Sequence, residues 1–234
     1  MPSNTIPEQY KALLGFMLDC SRAYKEGLAK EAEDVGLPWN HATANLEIDI
    51  YFVFLLSASM LAHGHNRSVW TEMCFLCESA LVGFHEEKLW GDSFSDVIAS
   101  RIKEYGEIKS RGAERGEGSG FDLGTRLLEH VDASSSDGDI VTIGPRVITL
   151  RDAFQRHELQ VRAVCLDMQI AGWFRCGLKH ILQRANDIRE LSGQEIVELA
   201  ARGQIEADAI TAKAFEKMRC DKPGKPRRWW QFWR

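Results

Sequence analysis

The sequence predicts an all-α fold, a multi-helix bundle of about six to eight helices. Apolar residues recur at three- and four-residue spacing along most of the chain, which is the period of a helix with one buried face. Hydroxyl residues followed three positions later by a carboxylate stand before several of these runs, in the capping-box pattern that satisfies free backbone amides at a helix start. Strand-like alternation is confined to one short stretch, 140–148.

The first helix is expected from Tyr10, with Leu13, Leu14, Met17, Tyr24 and Leu28 on its apolar face. Thr5, Pro7 and Glu8 supply the start, and Gly36, Leu37 and Pro38 the stop. A second, about 40–62, turns apolar on all sides at 51–56 and should lie inside the bundle. Its apolar stretch 50–62, between Asp49 and His63, is shorter than the roughly 20 residues that a bilayer span requires, which fits a core helix. A third, about 67–90, carries Val69, Trp70, Met73, Leu76 and Leu81, and is expected to form the core hairpin with the second. Ser93 and Asp96 cap a fourth helix with a single apolar stripe, ending near Arg111.

Beyond it, 112–120 is a glycine-rich loop, 123–131 a short helix and 132–139 a polar loop. A small β-hairpin is then expected at 140–148, around Gly144 and Pro145. Thr149 and Asp152 cap the longest helical pattern, which runs to about Leu191 with a bend at Gly172 or Gly177. Ser192 and Glu195 cap a C-terminal helical hairpin, two short helices at about 194–202 and 206–219 joined at Gly203. The expected division is therefore a helical bundle over 1–191, a hairpin over 192–220 and a tail over 221–234.

In the hairpin, Ile196, Leu199, Gly203, Ile205, Ile210, Lys213 and Met218 resemble the spacing of SHOCT-type helical hairpins, although Glu206 stands where those usually have threonine or serine. The resemblance covers about a tenth of the chain and implies a small interaction or oligomerisation module, hence a homo-oligomer among the expected states.

Candidate chemistry elsewhere is sparse. Cys74 and Cys77 form a CxxC inside an apolar helix with no second pair, so buried thiols are expected in preference to zinc or redox chemistry. The six irregularly spaced cysteines and the absence of a signal-peptide pattern suit a reducing, cytoplasmic setting. His63 and His65, with Glu47, Asp49, Glu72, Glu78, His85 and Glu86 nearby, contain ligand types, but a glycine stop at Gly64 explains the histidines as well. The glycine run 116–124 lacks Gly-Lys-Ser/Thr, and Asp132, Asp137 and Asp139 lack a closing glutamate. No cofactor and no metal is expected. Arg175 and His180 resemble the Arg-x4-His of HEPN-type helical ribonucleases, which implies a phosphate-holding arginine and an acid-base histidine. Cys176 departs from the asparagine, aspartate or histidine usual after that arginine. A helical hydrolase of this type is the alternative to a non-enzymatic role.

The strongest functional signal is the tail. Residues 222–234 (KPGKPRRWWQFWR) hold five of the 29 lysines and arginines and three of the seven tryptophans. The remaining 24 basic residues face 34 acidic ones, so a body of about −10 carries a tail of about +5. Arg227, Arg228, Trp229, Trp230, Phe232, Trp233 and Arg234 combine amphipathic rings with fixed charge. That combination suits an anionic membrane surface, where the protein would sit peripherally on the inner face, or the anchor residues of a protein partner. Single-stranded nucleic acid ranks last, because the acidic body repels it. A tail folded back on its own acidic bundle is the remaining alternative.

Overall fold

In the computed structural model, residues 6–37, 39, 41–64, 67–85, 94–114, 123, 126, 127, 129, 130, 150–185 and 187–220 are described. Every regular element among them is helical: α1 (Glu8–Asp34), α2 (His41–Ala62), α3 (Arg67–Phe84), α4 (Phe94–Glu114), α5 (Leu150–Leu166), α6 (Gly172–Arg184) and α7 (Gly193–Cys220). A π-helical turn, Asp167–Ala171, joins α5 to α6, and a 3-10 turn, Ile188–Glu190, precedes α7. The all-α fold is thus as the sequence predicts. The expected β-hairpin at 140–148 lies outside the described residues.

The first helix ends as its sequence dictates. Gly36 takes φ +74°, a conformation that glycine adopts at no steric cost. The Gly36 amide donates to Glu33 O (2.9 Å) and the Leu37 amide to Ala32 O (2.9 Å), which is the Schellman pattern that satisfies the last carbonyls. Gly64, at φ +68°, follows α2, and His63 Nδ1 lies 2.9 Å from Ser59 O, so this histidine serves the helix end.

The core is built around α1 and α2. Residues 48–56 of α2 are buried on every side, and α2 touches α1, α3, α4 and α6. The Ala44–Ala62 stretch, 19 residues, is long and apolar enough by length and composition to cross a bilayer; 78% of it is buried within the fold. An edge-to-face aromatic cluster fills the centre, with Tyr51 against Phe52 (5.8 Å between centroids) and Tyr105 (5.8 Å), and Phe52 against Phe174 (5.3 Å). As expected, α3 packs on α2 and buries Val69, Met73, Cys77 and Leu81 there, while Phe75 stays 67% exposed; α1 packs on α2 as well.

Two expectations for the C-terminal third are corrected. The long helix stops at Arg184 rather than near Leu191, because Ala185 is extended and Asp187 folds back to accept the Arg189 amide (2.9 Å). The expected two-helix hairpin is one helix of 28 residues passing straight through Gly203. Gly203 is a contact point: a Cβ built on it would lie 2.2 Å from Gly177 N and 2.4 Å from Gly177 Cα. Two helix backbones meet there, and position 203 has no room for a side chain, whereas a Cβ on Gly177 would meet the Phe16 ring at 2.6 Å. The Ser192 cap forms as predicted, with the Glu195 amide donating to Ser192 Oγ (3.2 Å) and the Ser192 amide to Glu195 Oε2 (2.8 Å).

Candidate functional site: a cavity beside the π turn

The junction between α5 and α6 is made by bonding of the i to i−5 type, seen where the Gly172 amide reaches Asp167 O. A wider turn loosens main-chain oxygens from the helical ladder, and side chains answer them here. Arg175 Nη2 donates to Asp167 O (3.4 Å), and Thr211 Oγ1 of α7 makes a long contact to Met168 O (3.5 Å).

The Asp167 carboxylate is 10% exposed and has two partners. Tyr51 donates to Oδ1 (2.8 Å) and Arg175 Nη2 to Oδ2 (3.2 Å). Burial, reinforced by the Asp167 charge, holds the Tyr51 hydroxyl well above its usual pKa, so it remains a donor. Burial alone would lower the Arg175 guanidinium, but the Asp167 carboxylate outweighs it and the group stays cationic. Tyr24, also fully buried and near this pair, has its pKa raised first by burial and then by Asp167. Its hydroxyl and that of Tyr105 find no partner in the described structure.

Arg175 retains 37% of its side-chain exposure, and it lines a cavity of about 210 Å³ between α2, α4 and α6. Phe54, Leu55 and Ala58 of α2, with Leu123, form the apolar wall. Ser59 and Lys109 supply the other polar groups, so among the described residues two cations and no carboxylate line the hollow. A fixed cation beside apolar walls can hold the anionic end of a small molecule.

Arg175 and His180 are not brought to a common point. Arg175 is bound to Asp167, whereas His180 Nε2 pairs with Glu206 Oε2 of α7 (2.8 Å), which also takes Lys179 (2.8 Å). Arg227, Arg228, Trp229, Trp230, Phe232, Trp233 and Arg234 lie outside the described residues.

The carboxylates and histidines of α2 and α3 separate in the same way. Glu47 is buried and accepts from Arg101 Nε (3.0 Å), while Glu72 accepts from Tyr10 Oη (2.7 Å). Asp49, 3% exposed, gathers Ser21 (2.5 Å), Lys25 (2.6 Å) and His85 Nε2 (2.8 Å). Burial alone would raise the Asp49 carboxyl, but the hydrogen bonds from His85, Lys25 and Ser21 outweigh it and leave it below its usual range. Among the described residues, no three of His, Cys, Asp and Glu converge as a metal site. Cys77 is buried and Cys74 half-buried, in line with the reading of the CxxC as core thiols.

Sequence reasoning missed Asp167, Tyr51 and Lys109. Asp167 stands eight residues before Arg175, outside the i,i+3 and i,i+4 spacings by which helical ion pairs are sought, and Tyr51 joins from 116 residues away. No known protein family, curated protein or solved structure gives a match to this chain.

Proposed function

We propose that this is a non-catalytic docking or adaptor protein whose acidic helical body is held on an anionic membrane surface by residues 222–234. The observation that carries the reading is the opposition of charge, about +5 on a thirteen-residue tail rich in tryptophan against about −10 on the rest. Ring side chains of this kind rest at the headgroup level, and each nearby lysine or arginine contributes up to about 1 kcal/mol on an anionic leaflet. In sequence the tail follows directly after the 28-residue α7. Such attachment is peripheral and belongs on the cytoplasmic face. The ribonuclease alternative loses support because Arg175 and His180 are engaged by different carboxylates.

Co-sedimentation with vesicles containing about one-third phosphatidylserine tests the proposal. The full chain should pellet with these and not with neutral vesicles, and about 0.5 M salt should release it. A chain ending at Asp221 should stay in the supernatant. Equal pelleting of the two chains defeats the proposal. Absence of vesicle binding, with tail-dependent capture of one cellular protein, transfers the docking role to a protein partner.

A further inference from the structure

The chemistry of the cavity beside Arg175 is selective. Its apolar surface comes mainly from Phe54, Leu55 and Leu123, and its charge from Arg175 and Lys109. Asp167 engages only Nη2 of Arg175, through its carboxylate and its main-chain oxygen. The Tyr51 oxygen is a further acceptor beside the guanidinium, and of its five N–H donors those on Nε and Nη1 make no hydrogen bond to Asp167. Lys109 is exposed and has no ion-pair partner among the described residues.

We propose that this cavity binds a small organic monocarboxylate, with its carboxylate on Arg175 and Lys109 and its apolar body against Phe54 and Leu123. The charge count selects a single negative charge. Asp167 already balances Arg175, so among the described lining residues Lys109 leaves one positive charge to be met. A dianion such as a phosphomonoester would leave an excess negative charge against apolar walls, which is costly. A neutral ligand would leave Lys109 unused. The planar two-oxygen end of a carboxylate also matches the fork of an arginine. Volume sets the size. At about 30 Å³ per water of the liquid, the 210 Å³ hollow equals roughly seven waters, and protein-like packing density admits a ligand of roughly ten non-hydrogen atoms. That is below the range of drug-sized pockets and right for a short branched or single-ring acid.

The test is an NMR titration of the full-length chain at low ionic strength with benzoate, its neutral isostere benzamide, and inorganic phosphate. Benzoate should saturate with a Kd of about 1 mM or tighter, and benzamide and phosphate should bind at least about tenfold more weakly. Lys109→Ala, at an exposed position on α4, should weaken benzoate about threefold or more and leave benzamide unchanged. Ala58→Leu fills the hollow from α2 and should abolish benzoate binding while the circular dichroism spectrum is retained. The proposal is overturned by equal binding of benzoate and benzamide. It is overturned equally by no saturable benzoate binding below about 10 mM, or by benzoate binding that neither variant alters.

Discussion

Replacing Gly203 with alanine puts a methyl carbon 2.2 Å from Gly177 N and 2.4 Å from Gly177 Cα, with Cys176 C at 2.7 Å. All three obstructing atoms are backbone, so no side chain can swing aside. Carbon contacts are most favourable at about 3.5–4.0 Å, so α6 and α7 must part by about 1.3 Å or more at their closest point. A gap of 0.5–1 Å already forfeits a quarter to a half of each neighbouring contact, and this interface includes the Trp173 Nε1 bond to Ala200 O (3.0 Å) and the Glu206 pairs to Lys179 and His180. Overpacking of a close-packed site costs about 1–3 kcal/mol, and backbone obstruction places this case at the upper end. Alanine in place of glycine returns about 1 kcal/mol of helix propensity, so the net loss is about 2 kcal/mol. For a chain of this length that lowers Tm by about 4–8 °C. Thermal melts by circular dichroism, with urea midpoints at unchanged m, measure it. Gly106→Ala is the internal control, because a Cβ there meets nothing within 4 Å; it should gain about 0.5–1 kcal/mol. If Gly203→Ala is as stable as the parent or more so, Gly203 is a tolerant helix position or a joint, and the backbone contact does not exist.

Asp49→Asn should cost about 3 kcal/mol at pH 7, since it removes the buried charge that holds Lys25 and His85. The sign of the pH dependence follows from the depressed folded pKa. The stabilisation is complete above the unfolded value of about 3.9 and is lost as pH falls through the folded one, so the gap between parent and variant in urea should be smaller at about pH 3 than at about pH 7. A gap of the same size at both pH values would remove the carboxylate from the account. Ser192→Ala should lose about 1 kcal/mol by opening the capping box with Glu195, and Glu195→Gln about half as much; unchanged midpoints for both would show that the cap contributes nothing.

Much of the fold was legible wherever one local rule acted alone. The Gly36 stop, the Gly64 stop, the Ser192 cap and the burial of 51–56 all follow from nearest neighbours or from simple periodicity. Gly203 was misread because a glycine between two amphipathic runs has the same sequence signature as a helix joint and as a helix contact; only Gly177, 26 positions away, distinguishes them. The stop at Arg184 was obscured by apolar spacing that continues to Leu191, although the turn-forming Asn186 and Asp187 lie between. For the cavity, Arg175 was visible as a residue type, but Asp167, Tyr51 and Lys109 reach it only through a π turn and two other helices.

The final helix is pinned at separated points: by the glycine contact at Gly203, by the Ala200 carbonyl under the Trp173 indole, and by Thr211 beside the Met168 oxygen. Sliding by one turn would move it 5.4 Å and break all three together. A rod of 28 residues, about 42 Å long, is therefore clamped along its first two-thirds, while Cys220 ends it beyond the last of these points. The glycine contact thus helps to set the direction in which the last third of α7 runs from the bundle, and a change there would swing that end of the helix without altering its own sequence.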